Sequence, residues 1–357
     1  METGAKPEDK TAADSIMSED RPKISIISII YDVAAFLPKA IESMISQTYD
    51  NLEIILVVGV KEGTDKGDLA ICEEYAEKDG RIKLVVTPAK GTGDARNQGL
   101  DNATGEYIGF VDGDDWAEPD MFERLYANLR EHDAGISVCG KYSEYEDRSE
   151  ADPQSGIRDM TTADAFEMII RGTGFFFHCW DKLFRASIFD GLRFPDDRYL
   201  EDRYVIDKAL ARAERIVYDT SPLYHYRVRG NSLSRVKDMA EYNTDADTGF
   251  CEFALQTAPG LKDAAEAFLL YDHLTCIQNY LLYFMGRSED TDRMRERYAE
   301  HMKYVRGIKG AGIFEGGNPE IGRSLRIKRF LALHAPGLLT YITRRHVKQL
   351  AEDRKFQ

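Results

Sequence analysis

The sequence predicts an α/β fold in which a mostly parallel, doubly wound sheet is followed by a helical C-terminal extension. Three observations carry this. Four runs in the first third of the chain are rich in β-branched residues and mostly apolar throughout, as strands covered on both faces are. Each is followed by a segment with apolar residues at helical spacing, and strands that alternate with helices build parallel sheets. From residue 238 onward the pattern is nearly all helical.

Residues 1–22 are polar, small and charged, which predicts a disordered tail. Ile24, Ile26, Ile27, Ile29 and Ile30 form the first strand. Leu37, Ile41, Met44 and Ile45 then share a helical face, with Pro38 near the helix start. Leu52 to Val60 is the second strand and Leu69 to Ala76 the second helix. Ile82 to Thr87 is the third strand, followed by a short helix around Ala95 to Leu100. Tyr107 to Val111 is the fourth strand, and Pro119 to Leu129 is a helix with apolar Phe122, Leu125 and Leu129. Residues 144–160 are polar and turn-rich, an excursion from the fold. From Thr162 the pattern is more helical, with one strand at Leu223 to Tyr226. The expected division is a domain over residues 23–237, with halves at about 23–143 and 160–237, then a helical region over 238–357.

Composition narrows the function. Of 357 residues, 62 are Asp or Glu against 47 Lys or Arg, a net charge of -15, which argues against a nucleic-acid binder. The five cysteines are scattered, without a Cys-x-x-Cys pair, which excludes a disulfide scaffold or zinc ribbon. No apolar run reaches the ~18 residues of a transmembrane helix, and the N-terminus lacks a secretory h-region. A cytoplasmic protein is expected.

Ligands of such sheets bind beyond the carboxyl ends of the strands, so the loops there hold the candidates. Asp112, Asp114 and Asp115 crowd three carboxylates after the fourth strand. A divalent cation shared with substrate phosphates offsets such crowding, although Asp115 alone also suits the cap of the next helix. Gly91 to Asn97 is similar to a phosphate-cradling loop but lacks both the P-loop and the dinucleotide spacing; a plain helix start is the simpler account. Glu201 and Asp202 open a helix in an apolar setting, either as dipole partners or as a general base beside a cleft. His225, Arg227 and Arg229 share one face of a strand, either as an ion-pair network or as a clamp for a pyrophosphate.

Five stretches, taken in order over residues 23–235, resemble the family 2 glycosyltransferases of the GT-A fold. They are ISIISIIYDVAAFLPKAIESMISQTYDNLEIILV, GTGDARNQGL, YIGFVDGDDW, WDKLFRASIFDGLRFPDDRYLEDRYVIDKAL and IVYDTSPLYHYRVRGNSLSR. The chain is most similar to bacterial non-processive enzymes that build capsule, exopolysaccharide and teichoic-acid chains. The resemblance implies an inverting, metal-dependent transfer of sugar from a nucleotide-sugar, with a UDP-sugar the expected donor. Tyr31 and Asp32 would line the nucleotide pocket and Arg96 would meet the uracil or diphosphate. Asp112, Gly113 and Asp114 match the DxD motif, with both aspartates holding Mn2+ or Mg2+. Asp202 matches the general base. Glu201, Trp180 and Lys182 fall on the acceptor side, and His225, Arg227 and Arg229 on a segment closing over the donor.

Two departures stand out. The first strand ends Ile29-Ile30-Tyr31-Asp32 where relatives have Pro-x-Tyr-Asn. The second continues Val57-Val58-Gly59-Val60-Lys61-Glu62 where relatives place an aspartate that reads the base, so either Glu62 takes that role or base reading is altered. Two other classes share this kind of sheet: a non-catalytic subunit supporting a partner glycosyltransferase, and a nucleotidyltransferase, whose glycine-rich, basic signature is missing after the first strand. The implied partners are the nucleotide-sugar, a saccharide or lipid-linked saccharide acceptor, a second copy of the chain, and a membrane. The last rests on residues 323–348, which hold seven Lys or Arg and no Asp or Glu around Phe330, Leu331, Leu333, Leu338, Leu339, Tyr341 and Ile342. Two amphipathic helices there either lie at the inner face of the plasma membrane or pack on the domain with a solvated basic face.

Overall fold

The computed structural model describes residues 21–61, 67–196, 198–229, 239–285, 291–309 and 319–353. Glu62 and most of the predicted tail lie outside them. Arg21, assigned to that tail, is fixed: it pairs with Glu123 and lies 4.1 Å from the centre of the Tyr49 ring.

The first part of the chain alternates as its apolar runs require. β1 (Ile24–Ile30), β2 (Leu52–Val60), β3 (Ile82–Pro88) and β4 (Tyr107–Phe110) are separated by α1 (Leu37–Ile45), α2 (Asp68–Lys78) and α3 (Thr92–Asn102). These four strands pair in parallel in the order β3-β2-β1-β4. β5 (Trp116–Ala117) and α4 (Met121–Glu131) follow, then β6 (Ile136–Glu144), β7 (Ser149–Ala151), β8 (Ile157–Met160), α5 (Thr162–Arg171) and β9 (Lys182–Arg185). A 3-10 turn at Glu201–Tyr204 leads into α6 (Ile206–Arg212) and β10 (Ile216–Arg227). β9 enters antiparallel between β4 and β6, and β10 lies parallel to β6. Among the described residues the ten strands form one sheet, with β5, β7 and β8 at its margins.

Side chains alternate across this sheet, so it carries two cores. One joins Ile24, Ile26 and Ile30 to Leu37, Ile41, Phe122 and Leu125 of α1 and α4. The other joins Ile27, Ile55 and Phe110 to Phe166, Ile206 and Phe250. Each such side chain, fully buried, adds about 1.5–3 kcal/mol. Phe250 belongs to α7 (Met239–Thr257), so the first C-terminal helix completes the second core. α8 (Lys262–Asn279), α9 (Asp292–Gly307), α10 (Pro319–His334) and α11 (Pro336–Asp353) build a third core from Leu274, Ile277, Val305, Leu325 and Leu339. The molecule is therefore a mixed α/β protein with a mainly parallel central sheet and a helical C-terminal part. No helix among the described residues is long and apolar enough to cross a membrane. The five cysteines are buried and free.

Candidate active site

The carboxyl ends of β1, β2, β3 and β4 open onto a cleft of about 560 Å3 lined by Tyr31, Lys61, Thr92, Arg96, Asp112 to Asp115, Arg198, Tyr199, Tyr226 and Arg229. The acidic turn enters it directly from β4, whose extension is held where Val111 N–H donates to the Ile27 carbonyl (3.1 Å). Gly113 is required by close packing. A Cβ there would stand 3.1 Å from both the Ile29 carbonyl oxygen and a Val33 methyl.

Asp115 does not cap the next helix, whose N-cap is Asp120. It is 2% exposed, accepts from the Tyr224 hydroxyl (2.9 Å) and from Arg227 N–H (2.7 Å), and so ties the acidic turn to β10. The Tyr224 hydroxyl in turn accepts from Asp112 N–H (3.1 Å). Asp112 and Asp114 remain directed at the cleft. Asp112 is pushed up to about 6 by burial, with Asp114, Glu201 and Asp202 adding to the rise and Arg96 opposing it. Arg229 pairs with the Asp114 carboxylate, and Arg227 Nε donates to the Asp114 carbonyl (2.8 Å).

Arg96 comes from α3, which packs hard against the segment before the 3-10 turn. Gly93 permits this, since a Cβ would fall 2.0 Å from the Pro195 carbonyl oxygen. Asn97 exchanges hydrogen bonds with Phe194, donating to its carbonyl (2.8 Å) and accepting from its N–H (2.9 Å). The Gly91–Asn97 stretch is thus a helix start that also delivers a buried guanidinium. Arg96 Nε donates to Glu201 Oε1 (2.7 Å) and Nη2 to Asp112 Oδ1 (3.4 Å), while buried Nη1 has no hydrogen-bond partner among the described residues.

Asp202 lies in the 3-10 turn directly after Leu200, whose φ of 58° is a costly left-handed conformation for leucine. Burial and the neighbouring Glu201 raise its proton affinity, against Arg96, Arg203 and His178. Its Oδ1 accepts from Arg203 N–H (2.9 Å). Asp202 and Asp112 are near enough for their charges to act on one another.

Four of the predicted residues are engaged within the protein itself. Lys182 is fully buried, and its ammonium donates to the Phe176 carbonyl (3.1 Å), the His178 carbonyl (2.7 Å) and Asp181 (2.7 Å). An ammonium has three donors, so none is left for an acceptor. Trp180 is 5% exposed, stacked between His178 (3.7 Å) and Tyr224 (4.3 Å) behind the cleft wall. Glu201 is buried and clamps Arg96 and Thr92, whose hydroxyl donates to its Oε2 (2.6 Å). His225 is pinned between Trp116 and Tyr142 rings at 4.7 and 4.5 Å, with Glu118 and Glu144 on its nitrogens, and does not face the donor cleft.

Tyr31 is half exposed at the cleft, and Asp32 has a φ of 58°. Their loop is held by a residue the sequence reading missed. Asp68, buried at the start of α2, accepts from Asp32 N–H (2.6 Å) and Val33 N–H (3.1 Å). Lys61 and Thr92, from the loops after the second and third strands, also line the cleft, as do Arg198 and Tyr199, which the sequence reading did not single out.

Mn2+ or Mg2+ suits the chemistry of this donor set. Asp112 and Asp114 offer carboxylate oxygens, the ligand type a hard divalent cation takes, and burial with three neighbouring carboxylates raises the proton affinity of Asp112. Among the described residues no group of three or more His, Cys, Asp or Glu forms a ready-made cage.

The parallel sheet, the acidic turn after β4 and the arginines around it define a GT-A-fold domain. Staphylococcus aureus TarS 1–349, in its complex with UDP-GlcNAc, has the same fold: TM-score 0.63 at 17% identity, covering 91% of this chain and 92% of that one. Residues 25–195 match Glycosyl transferase family 2, and the chain carries a domain of that family. Among curated relatives, the uncharacterized glycosyltransferase EpsJ of Bacillus subtilis is 35% identical over 60% of this chain and 64% of its own length. Glycosyltransferase GlyA of Streptococcus pneumoniae is 34% identical over 60% of this chain and 32% of its own length. The chain thus spans under two thirds of the length of these relatives.

Proposed function

We propose that this chain transfers a sugar, with inversion, from a nucleotide-sugar to an acceptor hydroxyl in the synthesis of a cell-surface polysaccharide or glycoconjugate. The observation that carries the reading is Arg96. It is a buried guanidinium held between Glu201 and Asp112, in a cleft it shares with Asp112 and Asp114 at the carboxyl edge of a parallel sheet. A UDP-sugar is the expected donor, the class that TarS holds in its complex.

Asp112 and Asp114 would hold a divalent cation, which supplies Lewis-acid stabilisation of charge on the departing nucleoside diphosphate. Arg96 and Arg229 bind the diphosphate oxygens, Arg229 leaving Asp114 to do so, and Tyr31 borders the nucleoside. Asp202 accepts the proton of the acceptor hydroxyl as that oxygen bonds to the anomeric carbon. The diphosphate leaves from the opposite face with the electron pair of the broken bond, so the configuration inverts. No covalent nucleophile is needed.

The test is a panel of nucleotide-sugars with Mn2+ or Mg2+, scored by release of nucleoside diphosphate. One donor should be hydrolysed, and the release should vanish in EDTA and in Asp114→Ala while the variant melts as wild type does. Release that persists unchanged in EDTA would remove the metal from the reading. Donor binding without release, in the presence of any acceptor, would make the chain a binding subunit instead.

A further inference from the structure

The hairpin of α10 and α11 has two apolar stripes where a packed helix needs one. Its inner stripe, Leu325, Leu331, Ala332 and Leu339, is buried in the third core. Its outer stripe is exposed. On α10, Arg323, Arg326, Ile327, Phe330 and His334 stand at i, i+3, i+4, i+7 and i+11, which puts them on one side of the helix. On α11, Leu338, Tyr341, Ile342 and Arg345 repeat the spacing. Phe330 is 61% and Tyr341 62% exposed, the largest exposures among the chain's large apolar side chains that are described.

The charge around this stripe is opposite to that of the molecule. Residues 323–348 carry seven Lys or Arg and no Asp or Glu, in a chain of net charge -15. We propose that this face docks on an anionic lipid bilayer, with Phe330, Ile327, Tyr341 and Ile342 entering the headgroup boundary. Arg323, Arg344 and Arg345 then meet lipid phosphates, and the acidic remainder of the chain is turned away from the surface. A second copy of the chain is a poorer occupant. A two-fold contact would set each basic face against itself. The inference stands apart from the transferase reading, since it uses none of the residues of the cleft.

Co-sedimentation of the full chain with vesicles tests it. Wild type should pellet with phosphatidylcholine–phosphatidylglycerol vesicles at low salt, less so as salt rises, and stay in the supernatant with phosphatidylcholine alone. Arg323→Gln, Arg344→Gln and Arg345→Gln combined should weaken partitioning about a hundredfold, the loss of three surface charges. Phe330→Ser with Tyr341→Ser should weaken it too, while circular dichroism and donor hydrolysis stay as in wild type. Wild type remaining in the supernatant with anionic vesicles overturns the proposal, as does equal pelleting by all three proteins. Self-association in the ultracentrifuge that the Ser pair abolishes, without vesicle binding, assigns the face to a second copy and overturns it as well.

Discussion

Asp202 stands two residues after Leu200, whose left-handed conformation is held in place by its surroundings. If it is the base, Asp202→Asn keeps the shape and loses proton acceptance. Donor binding should then survive while transfer falls about 10²–10⁴-fold. Transfer within a few-fold of wild type would leave Asp202 as a helix-start carboxylate. The pH profile carries a second reading of the same residue. The base works ionised, and burial beside Glu201 raises its proton affinity, so activity drops as pH falls through that raised value. The acidic limb of kcat/KM should therefore lie above the ordinary aspartate value of about 3.9. At this scale the sequence was legible where a motif placed carboxylates at strand ends, as with Asp112 and Asp114. It was not legible where burial decides. Lysine is a surface residue by habit, and nothing in Trp180-Asp181-Lys182 announces that three acceptors enclose the ammonium. Asp68 was equally silent, because its partners are backbone N–H groups far along the chain.

The 3-10 turn is joined to the helical region through Arg203. Its guanidinium pairs with Asp247 of α7, which is fully buried, and lies 4.4 Å from the centre of the Phe177 ring. Asp272 of α8 lies beside Asp247, and burial with that neighbour pushes it well above the usual carboxylate range. Arg203 also opposes the rise in Asp202. Arg203→Gln should thus do two things. Stability should fall by about 3–5 kcal/mol, the cost of stranding a buried charge, read from thermal melts. The acidic limb of kcat/KM should move to higher pH, and Arg203→Lys should restore it. A variant that melts lower with an unmoved limb would reduce Arg203 to a structural pair. The elements themselves were unevenly readable. β1 to β4 are mostly apolar runs and were found within about two residues. β10 was recognised only from Leu223, because Asp219, Ser221 and Pro222 interrupt its apolar run. They sit at a bulge, where the pairing with β6 shifts register and proline is tolerated. β7 and β8 lie in the polar excursion, with most side chains exposed, so no alternation marked them.

At the scale of the whole molecule, the third core hides a titratable pair. His273 of α8 and His301 of α9 share a hydrogen bond between their Nδ1 atoms (2.9 Å), and His273 stacks on Tyr304 at 3.8 Å. Burial lowers both, to about 3 for His273 and about 4 for His301. His301 and Arg297 deepen the fall at His273 and Arg297 at His301, while Asp245 opposes it at both and Glu300 at His301. The unfolded chain takes up protons near 6.5, the folded one only below about 4, so the stabilising contribution is complete above 6.5 and is lost as pH falls through that window. The loss runs at about 1.4 kcal/mol per pH unit for each imidazole. Raised carboxylates such as Asp272 pull the other way, gaining relative stability as pH falls, so the net melting curve mixes both signs. The difference between proteins separates them. His301→Gln keeps a buried polar partner for His273 but does not titrate, so its stability should fall less steeply than that of wild type between pH 6.5 and 4. Parallel curves would mean that the pair is solvated in solution and contributes nothing to the acid response. A shallower curve would locate the acid-sensitive point of the molecule in its helical part, away from the cleft.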